Sequence, residues 1–263
     1  MGRLLPFLSA LLVVVLVPVP TSAQDALARA RQLYNERRFE AAVTAADEGR
    51  TPERADAADL VAARAYLERF RESTTEADLY SARDRLRRIS PERLNENERV
   101  EYLVGVGETL YLEGTAGAAA HIFDALFESS AGLTPAARER VLDWWASALD
   151  REARPRADIE RQAIYQKILD RMRDELGRNP RSSVAAYWLS AAASGQGDHQ
   201  AAWDAALAGW VRAPLTSDRG ALLRAELDRL VSRAIVPQRA RSTAQPPETL
   251  QLEWDAFKAR WTR

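Results

Sequence analysis

Two histidines and no cysteine limit the side-chain chemistry open to this 263-residue chain. His121 stands beside Ile122 and Phe123, as a helix residue next to a core stripe would; His199 follows Gly197 and Asp198 at a turn. Neither has the spacing of a metalloprotease helix, and there is no Walker loop or Gly-x-Ser-x-Gly nucleophile elbow. Without cysteine there is no disulfide frame, zinc ribbon or thiolate nucleophile. Gly114-Thr115-Ala116-Gly117 reads as a bend between helices, since no strand precedes it and no lysine follows. Carboxylates remain, 38 of them, and a glycosidase-like pair among these would leave no trace in one dimension. The expectation is a protein that is not an enzyme, with no catalytic or metal-binding residues and no cofactor.

Basic residues number 37, giving a formal net charge of −1. That balance offers no electrostatic attraction for nucleic acid, so no nucleic-acid partner is expected. A hydrophobic fraction of 46% supports a folded core rather than disorder.

The first residues read as a secretory signal. Met1-Gly2-Arg3 is a short positive start, Leu4 to Val17 an apolar run, and Pro18-Val19-Pro20 a break. Thr21-Ser22-Ala23 then sets small residues before a cut ahead of Gln24. The apolar run is about 14 residues, shorter than the roughly 20 that span a bilayer. Residues 1–23 are therefore expected to be a cleaved signal peptide, with retention as an anchor the alternative. The product would be periplasmic or secreted, without stable membrane insertion.

Elements must position whatever chemistry there is, and the remaining pattern is helical. Apolar residues recur at intervals of three and four, as in Leu27, Ala30, Leu33, Tyr34 and in Leu60, Ala63, Tyr66, Leu67. Thr51-Pro52, Ser90-Pro91 and Thr134-Pro135 read as helix starts, and Asn95 with Glu98 has capping-box spacing. Gly49, Gly114, Gly177 and Gly197 read as stops. The prediction is an all-α chain of about twelve helices joined as antiparallel hairpins. Its tail, 215–263, reads as a helical cap. A helix over 217–235 carries Leu223, Leu227, Leu230, Val231 and Ala234, and a loop containing Pro237, Pro246 and Pro247 follows. The last helix sets Leu250, Trp254, Phe257 and Trp261 on one stripe.

The hairpins repeat. In the clearest unit Gly107, Leu110, Gly114, Ala119, Phe123 and Leu126 fall at tetratricopeptide spacing, with Gly107 set against Ala119. A second unit runs from Leu189 through Gly197 and Ala202 to Gly209 and Pro214, and a third from Leu27 to Gly49. Ala63 to Pro91 fits a further unit if its loop near 72–76 is enlarged, and Trp144 to Pro180 another. Over 24–214 the chain resembles the tetratricopeptide-repeat-like superfamily of α-solenoids, in a divergent form. The resemblance implies that first helices line a concave groove that holds an extended peptide or a helix. In this register the groove residues are Arg31, Tyr34, Arg64, Leu67, Val104, Glu108, Tyr111 and Tyr187. The Lys and Asn clamp that holds a peptide C-terminus in some relatives is absent at these positions. The implied function is an interaction or scaffold module of the bacterial cell envelope, with another envelope protein or peptide as partner. The alternative is a protein that binds or cleaves cell-wall glycan. Trp144, Trp145, Trp188, Trp203 and Trp210 could serve it, though helical spacing makes core packing the first expectation for them.

Overall fold

The computed structural model describes residues 23–128 and 132–262; the apolar run of the expected signal segment lies outside them. Every regular element among these residues is helical. Five antiparallel hairpins come first: α1 (Ala23–Asn35) with α2 (Phe39–Glu48), then α3 (Ala55–Ser73) with α4 (Glu76–Leu86). They continue with α5 (Glu96–Leu112) and α6 (Ala116–Glu128), α7 (Pro135–Ala153) and α8 (Asp158–Arg178), and α9 (Ser183–Gln196) and α10 (His199–Arg212). Next, α11 (Ala221–Leu230), a π-helical turn (Val231–Ile235) and α12 (Val236–Thr243) run on as one rod, before α13 (Pro247–Trp261). Counting that rod once gives twelve helices among the described residues, the expected all-α fold. Each odd-numbered helix from α1 to α9 packs on its hairpin partner and on the next odd helix, so α1, α3, α5, α7, α9 and α11 form one continuous row. The arrangement is that of stacked hairpins in a superhelical solenoid.

Local chemistry explains the boundaries. The Asn95 side chain accepts from the Glu98 backbone N–H while Glu98 returns to the Asn95 N–H, closing the capping box that starts α5. Thr134 accepts from the Ala137 N–H ahead of Pro135 and starts α7. Gly197, at φ 91°, ends α9, and Asp198 caps α10 by accepting from the Ala201 N–H.

Several expectations need correction. The connection within the second hairpin is not enlarged. Helix α3 runs on to Ser73, and Thr74 at φ 53° turns the chain into α4. Thr51-Pro52 opens a turn, not a helix; α3 begins at Ala55. The fourth hairpin starts at Pro135, so Trp144 lies in mid-helix; α8 ends at Arg178, within the expected stop over 177–180. Over Gly107 sits Phe123, one turn beyond Ala119, with its ring 2.5 Å from where a Cβ would stand. Pro237 does not lie in a loop. The π turn before it relieves the missing N–H and the ring's clash with the preceding turn, and the helix continues to Thr243.

From Val100 to Trp254 buried apolar residues form one cluster, which includes the tail residues Leu223, Leu227, Ile235 and Leu250. The tail therefore shares its core with the hairpins of α5 to α10. Trp145, Trp188, Trp203, Trp210 and Trp254 are all buried in it. Three of them donate from the indole N–H to an aspartate at 2.8 Å: Trp145 to Asp124, Trp188 to Asp143 and Trp254 to Asp228. The pairing meets the polar need of a large buried ring. Trp203 and Trp210 meet the Trp254 ring edge-on. Core packing accounts for Trp145, Trp203 and Trp210, while Trp188, though buried, also borders a cavity between α7, α8, α9 and the α11 rod.

Candidate binding groove

The row of odd helices brings most of the expected groove residues together. Arg31 and Tyr34 come from α1, Arg64 and Leu67 from α3, and Val104, Glu108 and Tyr111 from α5. Because residues three, four and seven apart share a helix face, each helix presents a stripe, and the stripes meet where the helices pack. Arg64 lies over the Tyr34 ring at 4.4 Å and pairs with Glu101 at 2.7 Å. Arg31 reaches Glu98 at 2.5 Å. The Tyr34 hydroxyl donates to Glu68 at 3.0 Å, and Arg71 donates to the same oxygen at 2.9 Å. From α7, Arg140 stands 3.6 Å from Glu68, beyond hydrogen-bond reach. Four arginines and four glutamates thus alternate across α1, α3, α5 and α7.

At the centre is Glu108, only 3% exposed. Arg71 Nε lies 2.8 Å from its Oε1 but is poorly aligned to donate, and that oxygen accepts no hydrogen bond. Burial pushes the Glu108 carboxyl up to about 7, with Glu68 adding to the rise and Arg71, Arg140 and Arg64 opposing it. It borders a cavity of about 80 Å³, shared with Arg64, Arg71, Arg140 and Trp144. Arg71 also stacks over Trp144 at 5.3 Å. Leu67, 1% exposed, forms the floor of this cavity. Burial likewise raises the Tyr34 hydroxyl above its ordinary value, so it stays a neutral donor at any physiological pH.

Tyr111 and Tyr187 lie further along. The Tyr111 hydroxyl is 2.9 Å from Ser147 Oγ, and Arg151 both donates to it at 2.9 Å and lies over its ring at 4.3 Å. Tyr187 belongs to a second, larger cavity of about 530 Å³ between α7, α8, α9 and the α11 rod. Asp143, Asp150, Glu226 and Tyr165 also border it. Burial raises the Glu226 carboxyl and the Tyr187 hydroxyl, and Asp143 adds to both shifts. The groove thus holds an arginine-rich site at one end and a carboxylate-rich one at the other.

Sequence reasoning left Glu68, Arg71, Glu98, Glu101 and Arg140 out of the groove and weighed Trp144 only as a ring for glycan. A signal existed for four of them: Arg64, Leu67, Glu68 and Arg71 sit at helix-face spacing, as do Glu98, Glu101, Val104 and Glu108. His121 is exposed, and His199 opens α10 with its Nδ1 unpartnered. Among the described residues no group of three or more His, Asp or Glu is placed to hold a metal ion. No described helix is long and apolar enough to cross a membrane. The all-α stack of hairpins is consistent with a generic scaffold or protein-interaction module. No family model, no curated protein and no solved structure matches this chain.

Proposed function

We propose that the protein is a non-catalytic scaffold of the bacterial cell envelope, exported through its N-terminal segment, that holds a peptide or helix of another envelope protein along the odd-helix row. The carrying observation is the convergence of Tyr34, Arg64, Glu108 and Trp144 from four successive odd helices on one recessed surface. Arginine, tyrosine and tryptophan are the side chains that dominate interface energetics, and here the scaffold holds them in place before any partner arrives. The step from architecture to function is an analogy with repeat proteins.

Affinity purification of the tagged full chain from envelope extracts tests this, with a Tyr34→Ala/Tyr111→Ala variant beside it. The expected result is a specific partner, at least tenfold depleted by the double substitution while the melting curve stays cooperative. A partner retained in full by the variant counts against the groove. Turnover of purified peptidoglycan by the pure protein, with no partner recovered, defeats the scaffold reading in favour of a glycan enzyme. Intact mass of the envelope-purified protein tests export: cleavage after Ala23 is expected, and a mass that includes Met1 would favour an anchor.

A further inference from the structure

A cavity of about 760 Å³ opens beside α13, bordered by Val211, Pro214, Arg224, Phe257, Arg260 and Trp261. Its volume lies in the range of small-molecule sites, and four of its six walls are apolar. Val211 is 40% and Trp261 52% exposed, so this apolar surface is open to solvent although Phe257 stacks back on Trp254. The two polar walls are both guanidiniums. Arg224 lies over the Trp210 ring at 5.3 Å, its Nε is buried without an acceptor, and neither Arg224 nor Arg260 pairs with a carboxylate among the described residues. Arg64, Arg71 and Arg138, which line the odd-helix row or its flank, each have a glutamate. The site therefore supplies donors and positive charge but no side-chain acceptor.

We propose that this cavity binds an anionic amphiphile, one apolar chain against Val211, Pro214, Phe257 and Trp261 with its oxyanion head on Arg224 and Arg260. A peptide fits poorly, because each backbone N–H carried into the cavity needs an acceptor and no lining side chain offers one. An acyl chain needs none, and its burial is favourable by apolar area alone. A cationic head meets two unpaired guanidiniums and is disfavoured. The planar forks of Arg224 and Arg260 suit a carboxylate or phosphate oxygen pair. The site is separate from the groove and does not depend on the scaffold reading.

Calorimetric titration of the full chain with laurate, kept below its micelle concentration, tests the proposal. Dodecanol, dodecyltrimethylammonium and butyrate serve as the neutral, cationic and short-chain controls. Laurate is expected to bind at one site at least tenfold more tightly than each of the three. Arg260→Gln and Trp261→Ala change exposed side chains and should leave the melting temperature in place; each should weaken laurate several-fold, and the pair at least tenfold. Dodecyl phosphate in place of laurate separates a phosphate preference from a carboxylate one, and tighter binding of either supports the site. Equal affinity for dodecanol, or laurate binding untouched by the double variant, overturns it. Sedimentation with anionic vesicles without binding of monomeric laurate or dodecyl phosphate also overturns it, in favour of surface adsorption.

Discussion

The two halves of the solenoid stack their hairpins with different chemistry. From α1 to α4 and the turn that follows, the buried apolar residues fall into three small clusters, the first mostly alanine and the other two mostly leucine. Small side chains let the helices approach closely but bury little area each. Charge fills the gaps: Arg85 joins Asp47 and Asp59, Arg50 also meets Asp59, and the Arg–Glu lattice crosses α1, α3, α5 and α7. From α5 onward a single cluster runs to Trp254, and its five buried tryptophans bridge successive helices. An apolar cluster responds little to salt or pH, whereas a seam of ion pairs responds to both. The groove's arginine-rich end is thus built into the part of the molecule most sensitive to its medium.

The largest effect should come from the C-terminal half. Trp254→Ala empties the meeting point of Trp203, Trp210 and Phe257 and should cost about 3–5 kcal/mol in urea unfolding. A cost under about 1 kcal/mol would erase the contrast between the halves. In the N-terminal half, Arg85→Ala leaves Asp59, 1% exposed, with Arg50 alone. The expected loss is about 1–3 kcal/mol, because a buried carboxylate forfeits its shortest donor. Repeating the unfolding in 1 M salt sharpens the point: wild type and Arg85→Ala should draw closer together, while the Trp254→Ala gap stays.

Gly107→Leu probes the junction of the halves. Its Cβ would fall 2.5 Å from the Phe123 ring, so overpacking of about 1–3 kcal/mol is expected, and an unchanged melting temperature would refute the close crossing. The smallest effect concerns Glu108. Its folded value of about 7 exceeds the ordinary 4.5 of an unfolded chain. Between those pH values the folded state holds a proton that the unfolded state has released, so stability falls as pH rises and levels off above 7. Glu108→Gln stays neutral and should escape that fall. Relative to wild type it should gain at most about 3 kcal/mol on moving from pH 4 to pH 8. A difference between the two proteins that does not vary with pH would show that Glu108 ionises freely.

Helix faces were legible in the sequence because period and caps are local: Asn95 and Thr134 mark starts that the structure keeps. So was the odd-helix row, since Tyr34, Arg64 and Glu108 follow from one register carried along the chain. What escaped depends on partners distant in sequence. Trp144 was misplaced because the fourth hairpin was begun nine residues late, and Arg140 was lost with it. The second cavity draws on four helices, a combination no single stripe announces. Pro237 was read by its local rule, which burial of Val236 and Ala240 overrides.

The π turn at Val231–Ile235 also acts as a phase corrector. Leu223, Leu227, Val231 and Ile235 are each at most 1% exposed, yet they recur every four residues. In an unbroken α-helix three such steps would carry the stripe about 120° around the axis and off the core. The wider turn unwinds that drift, so a four-residue period holds a straight line against the neighbouring helices. Deleting one residue within 231–235 would swing the following segment by about 100° and roll Val236 and Ala240 toward solvent, leaving Pro237 aimed at a new neighbour. The rod therefore resembles a vernier: one local misfit keeps two long scales in step.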